Sequence, residues 1–313
     1  MTSAFVFPGQ GSQSVGMLGE LAAQHPQVRA TFDEASTVLG FDLWQLACEG
    51  PAERLALTEI TQPVMLVAGV ATWRIWCELS AVRPTWVAGH SLGEFTALVA
   101  SGVLDYRDAV DLVRFRGEVM RDAVPNGLGG MAAVLGLSDA DMEAACAEAA
   151  QGEVAEAVNF NAPGQVVIAG HATALARAIE TAKARGAKRA LPLPISVPCH
   201  SSLMRPAALR LRERLQSSTF ASPKIRFMSS VDAKEYADPE AIRDLLYRQL
   251  ASPVRWVATM QALIGQGVDR FVECGPGKVL AGLGRRIDKN PALSYFALED
   301  VATFATALEG VSP

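Results

Sequence analysis

Short unbroken apolar runs alternate with longer stretches in which apolar residues recur at helical spacing. AFVF at 4–7, TWVAG at 85–89 and RFVECG at 270–275 each lead into a glycine turn and then a helical pattern. They predict buried strands alternating with helices, the arrangement of a largely parallel sheet covered on both faces. From about Asn126 the texture changes. GLGGMAAVLGL, AVNF, QVVIAG and KRALPLPIS predict short strands around two alanine-rich helices, over roughly 139–150 and 172–185. The order strand, helix, strand, strand, helix, strand is that of a ferredoxin-like unit. The pattern therefore predicts an α/β protein with a core domain formed by 1–125 and 197–313 and an inserted ferredoxin-like subdomain over 126–196.

Composition narrows the function classes. The chain has 313 residues, half of them apolar, which is enough for a large core. A formal net charge of −5 and the lack of a dense Lys/Arg run with interleaved aromatics argue against nucleic acid. The uncharged stretch ITQPVMLVAGVATW, between Glu59 and Arg74, is too short to span a bilayer and contains Pro63. No basic and apolar leader is visible at the N-terminus, so the cytoplasm is the expected compartment. The five cysteines, Cys48, Cys77, Cys146, Cys199 and Cys274, show no C-x-x-C pair, and no paired histidine spacing accompanies them. No zinc site or disulfide framework is suggested.

The stretch RPTWVAGHSLGEFTALVAS carries the first chemical signal. A Gly-x-Ser-x-Gly turn between strand and helix is a nucleophile elbow, which projects the Ser91 hydroxyl while its glycines remove colliding side chains. The following helix points free N–H groups at the same spot, where an oxyanion would develop. A capping serine in an ordinary strand-to-helix turn is the plainer alternative. A nucleophilic serine needs a base, and the chain offers four histidines. His25, in AAQHPQ, marks a helix end. His90 precedes the serine, so strand alternation aims it away from Oγ. His171 reads as a helix-start residue. His200, in the proline-flanked loop PISVPCHSSLM downstream of the serine, is the remaining candidate, and no motif marks an acidic third member.

Farther on, DYRDAVDLVRFRGEVMRDAV carries four arginines in a helical pattern. Arg107, Arg114 and Arg121 belong to its solvated side. Arg116 has Leu112, Val113, Val119 and Met120 at the offsets of three and four, which places it inside the apolar stripe. A guanidinium there requires an anion, either Glu94 permanently or a substrate carboxylate during binding. VFPGQGSQSVG, with Gly9, Gly11 and Ser14, approximates a dinucleotide fingerprint, with Asp33 and Glu34 about twenty residues on. Ser14 in the third glycine position and Pro8 weaken that reading. A backbone donor loop completing an oxyanion hole is the alternative. CGPGKVL lacks the first glycine and the Ser/Thr of a P-loop.

Taken in order, FPGQGSQ, TQP, GHSLGE, FRGEVM, NAPGQVVIAG, PCHSSLM, QLASPVRW and CGPGKVLAGL resemble the malonyl-CoA:acyl carrier protein transacylases of fatty acid synthesis and the related acyltransferase domains of polyketide synthases. The resemblance spans almost the whole chain. It implies a hydrolase-like α/β core, Ser91 as nucleophile, His200 as base and Arg116 as carboxylate clamp. It also implies the backbone N–H groups of Gln10 and Leu92 as oxyanion hole, Gln62 near the substrate, and Gln249 as the residue whose main-chain carbonyl orients the histidine. Many relatives have serine before the histidine and cysteine after it, where this chain has Cys199 and Ser201. Leu92 and the VPCH stretch look more like malonyl-type than methylmalonyl-type sequences. The implied partners are malonyl-CoA and acyl carrier protein, acting on a monomer with no cofactor or metal. A stand-alone polyketide-type acyltransferase and a serine hydrolase or thioesterase remain as alternatives, and an oxidoreductase is more distant.

Overall fold

The computed structural model describes residues 2–311. Its strands, in chain order, are β1 (Ser3–Phe7), β2 (Trp86–Gly89), β3 (Gly129–Leu135), β4 (Ala155–Ala162), β5 (Gln165–His171), β6 (Arg189–Pro192), β7 (Arg226–Met228), β8 (Glu235–Tyr236), β9 (Arg270–Glu273) and β10 (Ser294–Ala297). They form one sheet of order β10-β9-β1-β2-β7-β8 and another of order β4-β5-β3-β6. The first is parallel except where β8 pairs with β7.

Side-chain alternation along the central strands divides the core in two. Phe5, Phe7 and Val87 face a large cluster with the helices Pro26–Leu39, Thr58–Leu79, Gly93–Ala100 and Tyr106–Asp122. Ala4, Val6, Trp86 and Ala88 face the helices Trp256–Gly265 and Val279–Ile287. The uncharged apolar stretch around Pro63 lies within the helix Thr58–Leu79, buried on nearly all sides. Among the described residues no helix is long and apolar enough to cross a membrane.

The second sheet is antiparallel, with β3 between β5 and β6. The helices Asp139–Ala150 and Ala172–Ala184 pack on one face against Ala132, Val134, Val166 and Ile168. The opposite face, with Met131, Val167 and Ala169, joins the large core. Strand order and helix placement are those of a ferredoxin-like unit. The edge strand β4 is tied to the larger sheet's side by backbone bonds from Phe160 to Val254 and from Val254 to Val158, at 2.9 and 2.8 Å. That seam brings Asn161, in β4, and Gln249, at the end of the helix Pro239–Gln249, to the end of β2.

Candidate active site

The elbow forms because β2 ends in a glycine and the next helix begins in one. Gly93 lies so close to β1 that an added Cβ would stand 1.9 Å from the Phe7 carbonyl oxygen. The turn between these glycines holds Ser91 at φ 53°, a left-handed conformation that serine adopts only under constraint. His200 is held likewise, at φ 65°, ahead of the short 3₁₀ turn Ser202–Met204.

Ser91 Oγ and His200 Nε2 are 2.7 Å apart, and His200 Nδ1 lies 3.0 Å from the main-chain oxygen of Gln249. A carbonyl only accepts, so Nδ1 carries the proton and the Nε2 lone pair receives the serine hydroxyl. Burial, and then the Arg116 charge, pull His200 down to about 3, while the bond to the Gln249 carbonyl acts the other way. The imidazole is therefore neutral at physiological pH, the state a base requires.

Arg116 is 1% exposed, as its place in the apolar stripe predicts. It donates to Gln62 Oε1 at 2.7 Å and to Gln249 Oε1 at 3.0 Å, and it reaches to 3.5 Å from Ser91 Oγ. The Phe95 ring lies beneath it at 5.5 Å. Among the described residues no carboxylate stands within ion-pair distance of it, and its Nε has no acceptor. Burial lowers its pKa to about 10, which leaves it charged. Glu94 does not pair with it directly. That carboxylate instead accepts from the Ser230 N–H and hydroxyl and from the Gln249 side chain.

The PGQG loop packs against the elbow: a Cβ on Gly9 would come within 2.6 Å of the His90 carbonyl oxygen. Among the described residues, neither the Gln10 nor the Leu92 N–H has a protein acceptor. A cleft of about 390 Å³ opens beside Gln10, lined also by Leu57, Arg121, Asn126, Ile195 and Val197. Ser91, His200, Arg116, Gln62, Gln249, Gln10 and Leu92 are thus drawn from separate elements to one place at the end of the parallel sheet.

The other histidines have local duties. His90 turns away, with Nε2 2.8 Å from Asn161 Oδ1 and its ring edge-on to Trp256. His171 accepts the Val154 N–H on Nδ1 at 2.9 Å and starts a helix, and His25 separates two helices. Sequence reasoning missed Asn161 and the side chain of Gln249. For Asn161 the available signal was a polar residue at the end of an apolar strand. For the Gln249 side chain no local signal exists.

Residues 4–292 match the acyl transferase domain family. The malonyl CoA-acyl carrier protein transacylase of Salmonella typhimurium is 53% identical over 305 residues, 97% of this chain and 98% of that protein. Among solved structures, the malonyl CoA-acyl carrier protein transacylase of Coxiella burnetii matches with a TM-score of 0.97 at 45% identity, covering 100% of this chain and 98% of that one. A malonyl-transacylase solved in complex with a type II PKS acyl-carrier protein matches with a TM-score of 0.97 at 50% identity, covering 99% and 100%. Identity this high, sustained over the full length of both sequence and fold, means that the chain belongs to the acyl transferase family, among the malonyl CoA-acyl carrier protein transacylases.

Proposed function

We infer that the protein moves the malonyl group from malonyl-CoA to the phosphopantetheine thiol of acyl carrier protein, through a malonyl ester on Ser91, in fatty acid biosynthesis. The observation that carries this reading is Arg116: a buried guanidinium held by two neutral amides, 3.5 Å from the serine oxygen. A cation so placed has its charge unmatched until an acyl group bearing a carboxylate arrives.

In the first half-reaction Ser91 Oγ attacks the thioester carbon as its proton passes to His200 Nε2. The Gln10 and Leu92 N–H groups hold the oxyanion. The carbon–sulfur bond breaks, the CoA sulfur takes the proton from His200, and the acyl group remains on Ser91. In the second half the carrier thiol gives its proton to His200, attacks the ester, and Ser91 recovers the proton. Gln249 keeps the imidazole in the working tautomer, and Gln62 steadies Arg116. A thiol is intrinsically a better nucleophile than water, and a site closed around the bound carboxylate leaves water poorly placed.

This reading divides the chain into a core domain of 1–125 and 197–313 and a subdomain of 126–196, with the site at their junction. A cytoplasmic setting is supported by five cysteines that are all free. Labelled malonyl-CoA, supplied with and without carrier protein, tests the function. Label on the carrier is expected. Release of free malonate with the carrier present would make the protein a hydrolase, and absence of protein-bound label without carrier would remove the ester intermediate.

A further inference from the structure

We propose that Glu94 is a positioning residue: it holds the Gln249 side-chain amide in one orientation and thereby aims the Arg116 guanidinium at the acyl carboxylate. This rests on the reading of Arg116 as the carboxylate clamp and adds the device that sets it.

Gln249 is fully buried, and the two ends of its amide face opposite chemistries. Oε1 accepts from Arg116, a group that can only donate, at 3.0 Å. Nε2 donates to the Ser91 main-chain oxygen, which can only accept, at 2.9 Å, and also to Glu94 Oε2. A flipped amide would set donor against donor at Arg116 and acceptor against acceptor at Ser91. Glu94 in turn uses both oxygens as acceptors, Oε1 for Ser230 and Oε2 for Gln249. It is fully buried in the first turn of the elbow helix. One hydrogen-bonded chain therefore runs from Ser230 through Glu94 and Gln249 to Arg116, and on to Gln62 and the Met120 sulfur. Its negative end also favours the charged form of Arg116 from beyond the amide.

Gln249 serves the base with its backbone, and with its side chain the cation and the Ser91 main-chain oxygen. The Glu94 side chain touches only the side chain of Gln249, and so a change there leaves the bond between His200 and the Gln249 carbonyl in place. Glutamine at 94 has one acceptor where two are needed. Its amide nitrogen must face either the Ser230 N–H or the Gln249 Nε2, and the chain breaks at that point.

The experiment measures kcat/KM for malonyl-CoA and for acetyl-CoA in wild type, Glu94→Gln and Arg116→Ala, with thermal unfolding as the check on folding. The malonyl-to-acetyl ratio is expected to fall about tenfold in Glu94→Gln, the scale of one lost hydrogen bond to a charged group. A merely structural role would lower both values together and leave the ratio alone. If Glu94→Gln does not fold, Gln249→Met, which retains the main-chain carbonyl, is read in the same way. A wild-type ratio in the folded variant, with an altered ratio in Arg116→Ala, overturns the proposal and leaves the clamp standing. An unaltered ratio in Arg116→Ala overturns the clamp, and the proposal with it.

Discussion

Val6 of the central strand has Ala88 of β2 on one side and Glu273 of β9 on the other. Each of these neighbouring strands runs through a glycine-rich turn, GHSLG or CGPGK, into a helix. After β9, the Glu273 carboxylate folds over the helix N-terminus and accepts from the Ala281 N–H at 2.8 Å. After β2, Ala88 offers no acceptor at the matching level, and the Leu92 N–H has no protein partner among the described residues. Strand, turn and helix are alike, but the elbow helix bonds its Gly93, Glu94 and Phe95 N–H groups to the carbonyls of His90, Ser91 and Leu92, so that among the described residues the Leu92 N–H alone is open there. The Glu273 side chain closes one helix end, and the other keeps a single donor for a reacting oxygen. The same side chain explains why CGPGKVL is no phosphate loop: a carboxyl group already occupies that helix end.

The largest effects should come from breaking the open turn. After brief exposure to malonyl-CoA, mass spectrometry of the denatured protein should find one malonyl group per chain, on Ser91, and none in Ser91→Ala. Cys199 should carry none, since burial pushes its thiol up to about 11 and little thiolate exists. His200→Ala should slow acylation about a hundredfold or more, as loss of a general base does. Label recovered on Cys199 would mean that the turn does not supply the nucleophile.

The next effect concerns what the open turn receives. Arg116→Ala should lose malonyl transfer by about 2–5 kcal/mol, the scale of truncating a buried charge pair, and gain relative activity on acetyl-CoA. Arg116→Lys should not restore the preference, because an ammonium lacks the planar fork. Steady-state kinetics on both thioesters measures this, and equal losses on the two would make the arginine structural.

Breaking the closed turn should change stability. Burial raises the Glu273 carboxyl to about 7 from an ordinary 4.5, against the opposing pull of the helix N–H groups. Between those values the folded state binds more protons than the unfolded chain, so this group's contribution falls as pH rises from 4.5 through 7 and then levels off. The loss is roughly 3 kcal/mol. Glu273→Gln imitates the neutral acid and should remove that component. Its stability relative to wild type, from urea unfolding at pH 5 and pH 8, should therefore be higher at pH 8. An equal difference at both pH values would show that the carboxyl titrates normally.

The smallest effect concerns where the carrier protein docks. Lys183 and Arg185 are paired with Glu180 and Glu148. Lys188 and Arg189 are exposed, with no ion-pair partner among the described residues. Beside the closed turn, Lys278 pairs with Glu299 at 3.5 Å. Charge reversal at 188 and 189 should raise the KM for an acidic carrier by about a few-fold, as for rim charges, and leave that for malonyl-CoA in place. Reversal at Lys278 should alter neither. An unchanged carrier KM in the first variant would make those two residues part of an ordinary solvated face.

Much of this protein was legible in its sequence because the forces concerned act within a few residues. Short apolar runs marked the buried strands, glycine spacing marked the elbow, and three- and four-residue offsets placed Arg116 inside the helix stripe. The order of elements over 126–196 predicted the antiparallel ferredoxin-like sheet. The partner of Arg116 was not legible. Sequence reasoning left it between Glu94 and a substrate, because burial states that a charge needs company but not which group supplies it. Ser91 and the Gln249 amide meet across 158 positions, and His200 meets the Gln249 carbonyl across 49. The sequence by itself determined which residues could bear the chemistry. Only the packing of the small sheet's seam against the end of β2 decided their distances, the tautomer of His200 and the direction of the Gln249 amide, because hydrogen bonds depend on geometry that no local pattern contains.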